Sequence, residues 1–218
     1  MPSPLPIPAL ILFDLGGVLV RICHGWKKVC EYHGFTAPAI LDDPQGLSAL
    51  SDIGMRFETG QSDEEYFITE SAKLTGLSRD QVKQALDHWV IEPYAGAHEL
   101  VERVTQLPHV MTACLSNTNA THWAMMQGLN GHTRAAVPLH RLDHRFASHL
   151  IGAMKPDPAI YEHVEKTLSI DPSMILFFDD HPPNVAAARE RGWQVEQIDP
   201  TGNSPSQIVE HLTRRGLL

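Results

Sequence analysis

Three short apolar runs punctuate the chain, and each closes on polar residues. The first is Ala9-Leu10-Ile11-Leu12-Phe13, closing at Asp14. The second runs from Val110 to Leu115 and closes at Ser116-Asn117, and the third from Met174 to Phe178, closing at Asp179-Asp180. Continuous apolar runs of this length fit strands buried on both faces, as in a parallel sheet flanked by helices. Between the later runs the periodicity is helical. Asp157-Pro158 supplies an N-cap and a first helical residue, and Ile160, Val164 and Leu168 follow at four-residue spacing as one stripe. Asn184 to Arg191 is alanine-rich, with Gly192 placed to end that helix. Trp193 to Ile198 predicts a further strand, and Ser204-Pro205 opens a last helix carrying Ile208, Val209 and Leu212. Strand alternating with helix predicts an α/β, doubly wound parallel sheet.

The stretch from Cys23 to Glu92 breaks this rhythm. It holds helix-like segments at 25–32, 52–57, 63–74 and 78–90, and none of its runs resembles a core strand. The expectation is a small helical cap, residues 23–92, inserted after the first strand into a core formed by residues 1–22 and 93–218. The chain length of 218 suits a core domain carrying a smaller insertion.

Charge narrows the partners. Lys and Arg total 17 against 26 Asp and Glu, a formal net charge of −9. Such a surface repels nucleic acid and anionic membranes, so neither is an expected partner. A phosphate site would have to be locally positive. No apolar run approaches the roughly 20 residues that span a bilayer. Residues 1–8 lack the basic start and long apolar stretch of a signal peptide. The cysteines, Cys23, Cys30 and Cys114, are three and widely spaced, which fits neither a disulfide framework nor a zinc set and points to a reducing, cytoplasmic setting. His140, His144 and His149 cluster loosely but do not share one helical face, which favours a solvated or structural role.

The three polar endings carry the functional argument. In an open parallel sheet, ligands bind beyond the carboxyl ends of the strands. There Asp14, Ser116, Asn117 and the Asp179-Asp180 pair would meet, with Lys155 nearby. Three acids at one spot do not all stay ionised without a cation between them. Magnesium prefers such oxygen ligands. Ser116, the backbone N–H groups after it and Lys155 would complete a phosphate cradle. One acid is left to attack phosphorus.

The same residues carry a family resemblance. Phe-Asp-Leu-Gly-Gly-Val-Leu at 13–19, Leu-Ser-Asn-Thr-Asn at 115–119, Lys-Pro-Asp-Pro at 155–158 and Phe-Phe-Asp-Asp at 177–180 resemble, in order, the four motifs of the haloacid dehalogenase (HAD) superfamily. Phe57-Glu58-Thr59-Gly60 resembles a recurring turn of its small helical cap, and the wording is most similar to the bacterial α-D-glucose-1-phosphate phosphatase type. The resemblance implies a Rossmann-like core and a magnesium-dependent phosphatase acting on a small-molecule phosphate ester, with a sugar phosphate, sugar 1-phosphates included, first among substrates. It implies Asp14 as nucleophile and metal ligand, the Gly16 carbonyl and Asp180 as further ligands, and Asp179 as direct or water-mediated support. It implies phosphate binding by Ser116 and the Asn117 backbone, and Lys155 as the group that neutralises phosphate and holds Asp14.

One departure from the family pattern stands out. Most members carry a second Asp two residues after the nucleophile, as general acid and base, and here that position is Gly16. Such help is typically worth about 10²–10⁴-fold. An intrinsically good leaving group, a substitute acid or histidine in the cap, and weak or absent catalysis each account for the change. The rival readings are a metal-free haloacid dehalogenase using the same aspartate and a phospho-ligand-binding protein without turnover. His181, Asn119 and His122 are secondary candidates near the site, while Trp26, Trp89 and Trp123 read first as core.

Overall fold

The computed structural model describes residues 6–218, so the first part of the proline-spaced start, residues 1–5, lies outside the described residues. In chain order the elements are β1 (Leu10–Phe13), β2 (Val20–Ile22), α1 (Trp26–His33), α2 (Pro44–Glu58), α3 (Glu64–Thr75), α4 (Arg79–Trp89), β3 (Val90–Pro93) and α5 (Ala97–Val104). There follow β4 (Met111–Ser116), α6 (Ala120–Met126), β5 (His144–Ala147), α7 (Ser148–Ile151), α8 (Pro158–Leu168), β6 (Ile175–Asp179), α9 (Pro182–Glu190), β7 (Gln194–Gln197) and α10 (Ser204–Arg214).

The central sheet has five parallel strands in the order β5-β4-β1-β6-β7. Its apolar runs are continuous because both faces are covered. Ile11, Phe13, Cys114, Leu176 and Phe178 point into one layer with Leu100, Val101, Val104, Ile208 and Leu212 of α5 and α10. The intervening Leu10, Leu12, Ala113, Leu115, Ile175 and Phe177 point the other way, against Ile160, Tyr161 and Val164 of α8 and Ala188 of α9. Phe13 stacks on Phe178 at 5.7 Å within the first layer.

This topology places the crevice. The chain leaves β1 toward β4 and β5, then crosses back to build β6 and β7 on the other side. The reversal falls at β1, where an open α/β sheet leaves its binding cleft. Phe13 pairs in register with Cys114 on one side and Phe178 on the other. Asp14, Ser116 and Asp179 therefore emerge side by side.

Up to residue 104, sequence and structure differ in three places. β2 and β3 form an antiparallel two-stranded ribbon at the base of the insertion, where the sequence predicts helix to residue 90 and no strand. Val90 and Ile91 directly continue the helical pattern of α4, which hides so short a strand. The segment expected at 52–57 is the end of a helix that begins at Pro44, with the Asp43 side chain accepting from the backbone N–H groups of Gln45 and Gly46. Gly46, Gly54 and several polar residues weaken its helical signature. The strongly amphipathic α5 follows a left-handed Gly96 and is absent from the elements that the sequence predicts.

Helices α1 to α4 lie between β2 and β3. Their interior is aromatic: Trp26 stacks on Phe67 at 6.3 Å and meets Trp89 edge-on at 6.2 Å, and Phe57 stacks on Phe67 at 5.3 Å. The turn after α2 touches the core. Gly60 has φ +70°, and a β-carbon there would run into the His149 carbonyl oxygen on α7. Gly76, which ends α3 at φ +74°, would meet nothing.

These two glycines make a matched pair. Gly76→Ala should cost the left-handed penalty alone, roughly 1–2 kcal/mol. Gly60→Ala should cost distinctly more in urea unfolding and speed amide exchange across residues 57–64, and equal costs would mean that the approach to α7 does not constrain the insertion.

Candidate active site

Lys155 lies at the centre of the strand ends. Its Nζ is 2.9 Å from Asp14 Oδ2 and 2.7 Å from Asp179 Oδ2, and it donates to the Leu115 carbonyl at 2.9 Å. An ammonium has three N–H donors, and all three are used. The head also lies 5.3 Å from the centre of the Phe177 ring, which adds a cation–π contact. The side chain is fully buried. Burial alone would depress its pKa, but Asp14 and Asp179 outweigh this and hold it above the ordinary lysine value.

The backbone of Lys155 is fixed as firmly as its head. The Asn117 side chain accepts from the Lys155 N–H at 2.8 Å and donates to the Lys155 carbonyl at 2.7 Å. The expectation for Asn117 concerns its backbone alone; its amide is also the clamp that joins the loop after β4 to the lysine. Ser116 sits buried beside it at the end of β4, in register with Ala147. The Thr118 N–H donates to Ser148 Oγ at 2.8 Å, and that hydroxyl donates back to the Thr118 carbonyl at 2.9 Å.

The acids differ in their surroundings. Asp179 is wholly buried and saturated: Oδ1 accepts from the His181 N–H at 2.8 Å, and the Asn184 amide donates to both oxygens at 3.1 and 3.2 Å. Asp180 is partly exposed beside Gly17, where a β-carbon would collide with its carboxylate, so the left-handed glycine at φ +75° is what lets the β1 loop approach. Asp14 takes the Leu15 N–H on Oδ1 at 2.6 Å. One oxygen from each of Asp14, Asp179 and Asp180 lies within 4.8 Å of the others. Lys155 offsets a single charge among them. Burial first, then the neighbouring carboxylates, push Asp14 up to about 8 despite the lysine, and Asp180 is raised for the same reasons. Acids so destabilised as anions are suited to a divalent cation.

Gly16 offers no side-chain acid or base, and the wall facing it is apolar: a β-carbon would lie 3.2 Å from Ile22 Cδ1 and 3.3 Å from Cγ2. His181 is exposed and serves through its backbone N–H. Asn119 caps α6 by accepting from the His122 N–H at 2.9 Å. The His122 ring bridges core and insertion, with Nε2 2.8 Å from the Leu86 carbonyl of α4 and Nδ1 3.1 Å from the Asn119 amide. Burial holds it near 4, so it is neutral. His140, His144 and His149 fall on or beside three separate elements, and His149 Nδ1 lies 3.1 Å from the Thr118 carbonyl. Cys114 is buried, with burial pushing its thiol up to about 12, in keeping with a small hydrophobe. Sequence reasoning misses the roles of Gly17 and Asn184. The paired glycines at 16–17 are the available signal for the first, and the second follows Asp180 by four residues within the likeness to the fourth motif, where no role attaches to it.

Residues 8–192 match the family model described as haloacid dehalogenase-like hydrolase. D-ribitol-5-phosphate phosphatase of Bacteroides thetaiotaomicron is 27% identical over 194 residues, 86% of this chain and 90% of the relative. (S)-2-haloacid dehalogenase 2 of a Pseudomonas strain is also 27% identical, over 92% of this chain and 87% of its own length. A phosphatase of Mycobacterium tuberculosis is 35% identical over 81 residues, only 37% of each chain. Among solved structures, a HAD family enzyme of Bacteroides thetaiotaomicron in complex with magnesium and inorganic phosphate superposes with TM-score 0.72 at 22% identity, over 90% of this chain and 96% of the other, a likeness of fold. No helix among the described residues is long and apolar enough to cross a membrane.

The amide clamp is open to direct test. Asn117→Ala leaves a buried N–H and carbonyl of Lys155 without partners, so it should cost about 1–3 kcal/mol in urea unfolding and lower turnover. A variant with unchanged stability and activity would show that Lys155 is positioned without it.

Proposed function

The chain belongs to the haloacid dehalogenase-like hydrolases, and we propose that it is a magnesium-dependent phosphatase of small phosphate esters that works through phospho-Asp14. The observation that carries this reading is the single ammonium of Lys155 held between Asp14 and Asp179, with Asp180 close by.

Asp14, Asp180 and the Gly16 carbonyl would hold the ion, and Asp179, already saturated by Lys155, Asn184 and the His181 N–H, would act in support. Bound magnesium would neutralise charge on the phosphoryl oxygens and keep Asp14 ionised. The lysine aims one Asp14 oxygen and the Leu15 N–H fixes the other. Asp14 attacks phosphorus, the bond from phosphorus to the ester oxygen breaks, and the leaving group departs as its oxyanion and takes a proton from water. Water then attacks phosphorus and returns the carboxylate with release of phosphate. Ser116 and the Asn117 N–H, with Lys155, are the cradle proposed for the phosphoryl group, the Thr118 N–H being already taken by Ser148.

The acid pair also separates this reading from its rivals. Halide displacement needs one aspartate and no metal, which leaves Asp180 and its matched Gly17 without a purpose. A binding protein without turnover would have no use for an aimed Asp14. Support for phosphatase chemistry also comes from the ribitol-phosphate relative and from the magnesium and phosphate held by the structural neighbour. The family resemblance in the sequence puts a sugar phosphate first and the relative acts on a polyol phosphate, so these esters are the comparison class in any panel.

Phosphate release should require magnesium, stop on chelation, and vanish in Asp14→Asn while the fold is kept. Magnesium at 100 times its Kd should stabilise the native protein by about 2.7 kcal/mol, and Asp180→Asn should remove most of that shift. Chelator-insensitive halide release that Asp14→Asn abolishes would instead establish the dehalogenase.

A further inference from the structure

Between the helical insertion and the core lies a cavity of about 330 Å³. Trp26, Phe67, Trp89 and the end of α2 wall it on one side, and Asn119, His122 and Met154 close it on the other. Asn119 follows the loop that clamps Lys155, and Met154 directly precedes Lys155, so the cavity adjoins the proposed phosphoryl site.

Its polar inventory is short. Besides the indole N–H groups of Trp26 and Trp89, four polar side chains among the described residues reach it: Ser51, Glu58, Asn119 and His122. Asn119 and His122 are consumed by each other, by the His122 N–H and by the Leu86 carbonyl. Ser51 and Glu58 remain. Glu58 has no hydrogen-bond or ion-pair partner among the described residues, and apolar surroundings push its carboxyl up to about 7. Of the charged and titratable groups among the described residues, only it and the neutral His122 line the cavity. On its own helix, Asp52 and Arg56 are exposed and do not line it. Asp42, in the turn before α2, pairs with Lys27 of α1. On α3, Glu64 is taken by Thr121 and Lys83 of α4, and Glu65 by Arg79. His149 of α7 turns its Nδ1 to Thr118.

A polyol buried here would leave most of its hydroxyls unpaired, at about 1–3 kcal/mol each. Aromatic walls with one unpaired carboxylate instead match a flat apolar body carrying a positive charge. Gly16 adds an independent constraint. With Ile22 where a second aspartate would stand, the leaving oxygen receives no proton from that position, which favours an alcohol of phenolic acidity, with a pKa of about 10.

We propose that this cavity receives the alcohol half of the substrate, and that this alcohol is a flat, apolar phenol bearing an ammonium group that pairs with Glu58, not a polyol. The proposal rests on the phosphatase reading for the ester bond alone; recognition of the alcohol can be measured without turnover.

Tyramine, 4-ethylphenol and ribitol serve as phosphate-free probes of the whole protein, followed by calorimetry and by the fluorescence of Trp26 and Trp89. A carboxyl near 7 is about one-tenth ionised at pH 6 and nine-tenths at pH 8. Tyramine stays cationic across that range, so its affinity should rise about tenfold, while that of 4-ethylphenol stays flat. At pH 8 tyramine should bind at least tenfold tighter than 4-ethylphenol, and Glu58→Gln should erase both the preference and the pH dependence. The pH series on the native protein needs no variant and decides the matter if Glu58→Gln folds poorly. Ribitol binding as tightly as tyramine, or an ammonium preference unaltered in Glu58→Gln, would overturn the proposal. If tyramine binds as expected and no ester is hydrolysed, the phosphatase reading fails and the cavity assignment stands. Phosphate release without tyramine binding would sink the cavity assignment and leave the phosphatase reading in place.

Discussion

A buried ammonium is held in place here by groups that it in turn makes tolerable. Isolated charges in a protein interior cost several kcal/mol even after relaxation, and partners repay that only when the geometry satisfies every donor and acceptor. Lys155 meets the condition on its own side, with acceptors from the loop after β1, from β4 and from β6. The acids do not. Three carboxylates share one positive charge, and Asp14 carries the deficit as a raised affinity for a proton. The core of the site is thus built one cation short, which is the physical reason to place a divalent ion among these groups.

The insertion contributes a different environment a few side chains away. Its aromatic interior opens toward the core, and the His122 ring ties α6 to the carbonyl of Leu86. The phosphoryl end of a substrate would meet charge and oriented backbone amides, and the organic end would meet apolar walls with one carboxyl. On this proposal recognition and chemistry would be divided between the two parts, with Asn119 and Met154 at the seam. Gly60 against His149 marks a second point where the parts meet.

Much of the core is legible in the sequence because burial on both faces forces unbroken apolar runs. The strand endings follow, since polar residues after such runs can only lie at the sheet's edge, and Asp157-Pro158 announces α8 through capping chemistry. The β2–β3 ribbon is not legible, because three or four residues at the end of a helix carry no period of their own. Nor is the bond between the Asn117 amide and the Lys155 backbone, which joins positions 38 residues apart. The roles of Gly17 and Glu58 depend on what lies across from them, in one case Asp180 and in the other an aromatic cavity. Sequence spacing holds no record of either.

The carbonyl of Leu115 stands beside the two acids as a partner of Lys155. Through it the lysine senses three adjacent strands at once: the loop leaving β1, the last residues of β4 and the end of β6. A slip of one residue between any two would move an acceptor by about 3.3 Å, beyond hydrogen-bond reach. Misregistered or half-assembled forms of this chain would hold their acids apart from the ammonium, with no aimed nucleophile. With Asp14 as the proposed nucleophile, correct assembly of the sheet and chemical competence would be a single event, and a misfolded copy would be chemically silent.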